Sequence, residues 1–190
     1  MLALGVIAKF HADKFQQLVR DALPYVQEVI VAVDDDAAPG IEGFLSDRVT
    51  YFEWPLRMDF AAMRNAICER VTKDWVLFLD TDENLLPEFW PKLHCYLTAC
   101  ADVLLLPRAN YYVLEDGTRQ GPINYPDWQP KLHRRHVRWK NPVHEWPDGN
   151  LKMQYMPSDM EFAIQHVKTH EDQHYANRLY ANILSQASPG

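Results

Sequence analysis

The segment WVLFLDTDE, residues 75–83, closes an apolar run of strand length on two carboxylates, Asp80 and Asp82, with Glu83 directly behind them. Side chains alternate along an extended chain, so residues two apart point to the same side. Two acids held together in that way raise one another's pKa unless a cation lies beside them, and a hard divalent ion such as Mn2+ or Mg2+ meets that need. A plainer reading has the acids at the start of a helix opening near Pro87, where the macrodipole attracts negative charge. A second apolar run, EVIVAV at 28–33, also ends on acids, Asp34, Asp35 and Asp36. Acids at two strand ends favour the cation reading.

A strand followed by DTDENL also fits the haloacid dehalogenase phosphatases, whose first Asp is a nucleophile and whose next but one is an acid. Such a pair normally sits on the first strand and is followed by a Lys and a GDxxxD-type acidic pair. Nothing of that form follows residue 83. Three histidines, His166, His170 and His174, stand four apart and would share one face of a helix. Their surroundings separate them: Phe162, Ile164 and His166 alternate as a strand does, and Glu171-Asp172 reads as a helix start. His166 is therefore expected at a strand end, with His170 and His174 solvated on the helix.

These residues need elements to position them. LALGVIA at 2–8, EVIVAV at 28–33, VTYFEW at 49–54, WVLFLD at 75–80 and DVLLLPRANYYV at 102–113 read as buried strands. Helices are expected over HADKFQQLVRDALP at 11–24, over DFAAMRNAICERVT at 59–72 with Asp59 as N-cap, and over PEFWPKLHCYLTA at 87–99. Strands alternating with helices imply an α/β fold with a mostly parallel sheet covered on both faces. Ligands of such sheets bind beyond the carboxyl ends of the strands, where the acids lie. Beyond residue 112 the chain is rich in Trp, Pro and basic residues. It reads as loops and short strands ending in a helix over 170–187.

Composition limits the chemistry. The 190 residues carry 19 Lys and Arg against 26 Asp and Glu, a formal charge of −7. An acidic chain lacks the basic excess that drives nucleic-acid binding by counterion release. Its seven glycines show no GxGxxG or GxxxxGK spacing, which excludes both glycine-rich phosphate cradles. No apolar run approaches the ~20 residues of a membrane helix, and Lys9 and Asp13 interrupt the opening too early for a signal peptide, so a cytoplasmic chain without a transmembrane segment is expected. Cys68, Cys95 and Cys100 lie in apolar segments in no metal-ligand spacing and are expected as buried free thiols.

The chain resembles the family 2 glycosyltransferases of GT-A fold. The residues that carry the resemblance are the early strand, VAVDDD, Trp54, DFAAMRNA at 59–66, DWVLFLDTDE at 74–83 and Val143-His144-Glu145. It is strongest over residues 1–90 and extends to FAIQHVKTHEDQHYANRLYANIL at 162–184. Where the family has Asp-x-Ser-x-Asp, this chain has VDDDAAPG. The resemblance implies one GT-A domain over 1–190, with a donor half at 1–112 and an acceptor and catalytic half at 113–190. It implies sugar transfer from a nucleotide-diphosphate donor, a UDP-sugar foremost, to a glycan or other hydroxyl-bearing acceptor.

By the same resemblance, Asp82 and His166 hold a divalent ion, Mn2+ or Mg2+, that acts as Lewis acid on the departing diphosphate. Asp80, Arg64 and His144 lie near the donor, and Asp34 or Asp35 accepts from its base. An inverting transfer needs a general base for the acceptor hydroxyl. Glu145 is the first candidate and Asp127 the second, although Glu145 could also pair with the basic residues of 131–140. Tyr125, Trp128, Trp139 and Trp146 are either an acceptor platform, since sugars stack on aromatic faces, or core. The alternatives are the phosphatase and a catalytically inactive sugar-binding module of the same fold.

Overall fold

A computed structural model describes residues 1–8, 12–33, 46–54 and 59–187 of the chain. Its centre is β1 (Leu2–Ala8), buried along all seven residues. Parallel to it on either side run β2 (Glu28–Val33) and β4 (Trp75–Phe78), and β3 (Val49–Glu53) lies parallel to β2 at the edge. Alternation along β1 sends Leu2, Leu4 and Val6 to one face and Ala3 and Ile7 to the other. The first face packs against α1 (Ala12–Ala22) and α3 (Phe89–Tyr96), and the second against α2 (Phe60–Arg70). The expected helices on both faces are therefore present. Asp59 caps α2, its carboxylate accepting from the Ala62 amide at 2.9 Å.

Past β4 the sheet changes direction. The remaining strands are β5 (Glu83–Leu85), β6 (Val103–Val113), β7 (Arg119–Arg134), β8 (Trp139–Lys140), β9 (Trp146–Pro147), β10 (Met153–Tyr155) and β11 (Ile164–Thr169). The large sheet runs β3-β2-β1-β4-β7-β6-β11-β5, with β10 also on β6, while β8 and β9 pair separately. β7 is antiparallel to both β4 and β6, and β5 is antiparallel to β11. The closing helix α4 (His170–Ala187) follows β11 directly.

The second half is thus more strand-rich than its composition suggests. β7 runs 16 residues through Pro122, Pro126 and Pro130, residues that argue against an internal strand because they cannot donate to a ladder. The β6–β7 register shifts at three places, and the residues of β7 skipped there include all three prolines. Bulges let the strand carry them. The cysteine expectation is corrected in part. Cys68 is buried, and burial pushes its thiol up to about 12, but Cys95 and Cys100 are exposed. Both follow the buried stripe of α3 rather than belonging to it. Among the described residues, no helix is long and apolar enough to cross a membrane.

Candidate functional site

The alternation that places Val76 and Phe78 on the α2 face continues to Asp80, which meets two cations there. Its Oδ2 lies 2.6 Å from Lys131 Nζ, on β7, and its Oδ1 lies 3.5 Å from Arg64 Nη2, on α2. Burial alone would raise this carboxyl, but Lys131 and then Arg64 outweigh it and hold Asp80 well below the usual carboxylate range. Lys131, itself buried, also reaches Glu83 Oε2 at 2.7 Å. Glu83 Oε1 accepts from Arg108 of β6 at 3.1 Å. Arg108 in turn donates from Nε and Nη2 to Asp127 Oδ2 at 2.9 and 2.7 Å.

Asp127 also accepts from Asn110 Nδ2 at 3.1 Å and from Gln129 Nε2 at 2.7 Å. The amide donation turns Asn110 Oδ1 toward His166 Nδ1, 2.6 Å away. His166, on β11 opposite Asn110, presents Nε2 to Asp82 Oδ2 at 3.3 Å. Lys168, two residues on and so on the same side of β11, places its ammonium 3.6 Å from that same oxygen. Burial would raise the Asp82 carboxyl, but His166 and Lys168 hold it below its ordinary value.

At the other end, Arg64 Nε donates to Glu145 Oε1 at 3.0 Å. The Arg64 guanidinium lies 5.0 Å from the ring centroids of both Phe78 and Trp139, within cation–π range. Burial would lower its pKa, but Glu145 and Asp80 raise it above even the ordinary arginine value. The DFAAMRNA motif thereby gains a physical reading: Asp59 caps α2, and the Phe60 amide, Arg64 and Asn65 tie the helix to the segment that carries Glu145. The Phe60 amide donates to Pro142 O at 2.9 Å. Asn65 exchanges two hydrogen bonds with the Trp139 backbone, at 2.9 and 2.8 Å, and Arg64 holds Glu145 itself. His144 adopts φ 53°, a sparsely populated conformation for a side-chain-bearing residue, and its ring meets Tyr180 of α4 edge-on at 5.4 Å.

Glu145, Asp80, Arg64, Lys131 and His166 all line one cavity of about 490 Å³. Tyr111, Tyr112, Trp146 and Tyr180 also line it. A smaller cavity of about 180 Å³ lies at the carboxyl end of β1 and β4 and includes Ile7, Asp80, Thr81 and Asp82. Asp80, Phe60, Lys168 and Tyr180 border both. Tyr180 stands between them with its hydroxyl pushed up to about 12, first by burial and then by Asp80 and Glu145.

Most residues singled out in the sequence converge here: Arg64, Asp80, Asp82, Asp127, His144, Glu145 and His166. Asp34 and Asp35 lie outside the described residues. Glu145 pairs with Arg64 rather than with the basic stretch at 131–140. His170 and His174 are exposed, as expected. Of the tryptophans, Trp139 is core, Trp128 is half-buried against Tyr155, and Trp146 is exposed on the cavity wall. The cations that answer the acids come from the chain itself. Arg108, Lys131 and Lys168 were missed, though a lone Arg inside VLLLPRANYY is a signal, since a charge within a buried strand demands a partner. Among the described residues no three His, Cys, Asp or Glu side chains cluster as a metal site. Asp82 Oδ2 and His166 Nε2, both of metal-ligand type, lie 3.3 Å apart.

A family model described as Glycosyl transferase family 2 matches residues 12–155. A TPR repeat-containing protein of Synechococcus elongatus is 28% identical over 154 residues, which cover 79% of this chain and 36% of that protein. The chain thus spans about a third of the length of this curated relative. Among solved structures, residues 1–349 of Staphylococcus aureus TarS in complex with UDP-GlcNAc superpose with a TM-score of 0.61 at 15% identity, over 96% of this chain and 66% of that one. The same TarS fragment in complex with UDP gives 0.59 at 15% identity, over 96% and 65%. HddC of Yersinia pseudotuberculosis gives 0.59 at 8% identity, over 94% and 99%. At these identities the likeness establishes the fold, and the mixed sheet is that of the GT-A enzymes.

Proposed function

The chain belongs to glycosyl transferase family 2, and on that premise we propose that it moves a sugar from a nucleotide-diphosphate donor, a UDP-sugar foremost, to an acceptor hydroxyl with inversion. The observation that carries this reading is Glu145, held by Arg64 at the wall of the larger cavity and next to the acidic end of β4. Its Oε1 is engaged by the guanidinium, and its Oε2 has no hydrogen-bond partner among the described residues. A carboxylate oriented in that way, with one oxygen available, suits a general base that takes the acceptor proton as the hydroxyl attacks the anomeric carbon. Asp127 suits the role less well. Four donor contacts from Arg108, Asn110 and Gln129 occupy both of its oxygens and, against the effect of burial, hold it below its ordinary pKa.

The donor's diphosphate and sugar would lie over the smaller cavity and the exposed edge of Asp80, and Asp34 or Asp35, next in sequence after β2, is assigned to its base by the family resemblance. The complexes of TarS with UDP and UDP-GlcNAc support a uridine donor. The acceptor enters the larger cavity past Trp146, and His144 and Tyr180 border the meeting point.

Asp82 and His166 fit a divalent ion, Mn2+ or Mg2+, by the chemistry of their donor atoms. Asn110 Oδ1 orients the His166 ring through Nδ1, 2.6 Å away. The tautomer with its hydrogen on Nδ1 would present an Nε2 lone pair toward Asp82 Oδ2, 3.3 Å away, and the two would hold the ion when it replaces the hydrogen bond between them. Bound there, the ion supplies charge stabilisation to the departing diphosphate. Calorimetric titration of UDP, with and without Mn2+, tests the reading. Coupled binding is expected. UDP binding that ignores the metal removes the ion from the account, and absence of UDP binding in both conditions overturns the donor assignment.

A further inference from the structure

We propose that Lys168 is the exchangeable counter-ion of this site, pairing with Asp82 in the empty protein and passing to the donor's diphosphate when a divalent ion takes Asp82. The inference rests on the donor reading above and adds a phosphate ligand from β11 to it.

The four site cations differ in how they are held. Arg64 lies between Glu145 and Asp80, Lys131 between Asp80 and Glu83, and Arg108 between Glu83 and Asp127. Each bridges two acids and makes at least one contact of hydrogen-bond length. Among the described residues, Lys168 pairs with a single acid, Asp82, at 3.6 Å, beyond hydrogen-bond range. Its side chain is 19% exposed, as open as that of Arg108 at 21% but without the two-donor hold on an acid that fixes Arg108. Lys168 also borders the donor cavity and the acceptor cavity, so its ammonium can reach an anion at their junction without leaving the site.

The charges make the exchange directional. Asp80 already meets two cations, Lys131 and Arg64, at hydrogen-bond range, so Asp82 is the member of the acidic pair more open to an incoming cation. A fixed ammonium beside Asp82 opposes a divalent ion arriving alone. A diphosphate arriving with the ion draws the ammonium off, because lysine binds phosphate as a compact point charge with rotatable donors. Metal and nucleotide then each favour the other's binding, and thermodynamic linkage makes the coupling equal in both directions.

The test measures Mn2+ binding without nucleotide, by electron paramagnetic resonance of the free ion, and UDP binding in Mn2+ and in EDTA, by calorimetry. Lys168→Gln is expected to bind Mn2+ alone several-fold more tightly than the wild type and to bind UDP in Mn2+ about tenfold more weakly, the loss of one charge-assisted contact. Lys168→Arg restores most of the UDP affinity. Asp82→Asn, which frees the ammonium, binds UDP in EDTA more tightly than wild type, and Lys168→Gln added to it removes the gain. Lys168→Met replaces the Gln variant if that fails to fold. Unchanged Mn2+ and UDP affinities in the Lys168 variants, with UDP still bound by the wild type, overturn the exchange while leaving the donor reading intact. A wild type that binds no UDP in either condition overturns both.

Discussion

Lys131→Met removes the cation at the middle of the site's charge network. Lys131 is 4% exposed and touches Asp80 Oδ2 at 2.6 Å and Glu83 Oε2 at 2.7 Å. Breaking a buried ion pair from one side costs about 3–5 kcal/mol, because the partner's charge stays buried and uncompensated. Two features place this substitution at the low end. The Asp80 side chain is 38% exposed, so water takes up part of its charge, and Glu83 keeps the Arg108 contact at 3.1 Å. A loss of about 3 kcal/mol is expected, and at about 2–4 °C per kcal/mol for a chain of this size Tm falls by about 6–12 °C.

The loss carries a pH signature. The folded protein holds the Asp80 pKa well below the ordinary value, so its stabilising contribution is present in full above the unfolded pKa of about 3.9 and is lost as pH falls through the folded value. The stability gap between wild type and variant, followed by circular dichroism in urea, is expected to stay level from about pH 8 to 5 and to narrow below about pH 4. A gap under about 1 kcal/mol at neutral pH, the size of an exposed pair, would refute the buried-network account. So would a gap that widens with acid.

Glu145→Gln keeps the shape of the side chain and removes the base; the rate of sugar transfer is expected to fall by about 10²–10⁴ while UDP affinity is unchanged, and retained transfer would return the role to Asp127. Gly5→Ala places a Cβ 2.6 Å from Phe78 Cε1 and 3.0 Å from Ile67 Cγ2 in the core beneath α2. Overpacking of that kind costs about 1–3 kcal/mol in a urea melt, and an unchanged midpoint would show that Phe78 yields. With a thiol reagent on the native protein, Cys95 and Cys100 react and Cys68 reacts only after unfolding, since its thiol is buried and pushed up to about 12. Three fast thiols would contradict the packing of α2.

The parallel half of the fold was legible because each of its elements has a local cause. β1, β2 and β4 are unbroken apolar runs, and Asp59 marks the start of α2. The antiparallel part was not, because β7 carries three prolines whose tolerance depends on bulges formed only against β6. The site divides in the same way. Asp80, Asp82, Arg64 and Glu145 stand in recognisable local patterns. Lys131, Arg108 and Lys168 reach them from three strands, β7, β6 and β11, that lie well beyond β4 in sequence. Acid spacing at a strand end announces the need for positive charge. Whether a metal or the chain meets that need depends on sheet order, and here β7, β6 and β11 deliver the cations to the carboxyl end of β4.

The central claim is that the chain handles a nucleotide-activated sugar at the Asp80, Asp82 and Glu145 site. Its most direct test is a panel of nucleotide sugars, each incubated with the wild type and with Asp82→Asn in Mn2+, with released nucleoside diphosphate measured over time. The account predicts slow hydrolysis of one donor, a uridine diphosphate sugar, by the wild type and none by the variant. Release of no nucleoside diphosphate from any donor, or equal release by both proteins, would contradict it.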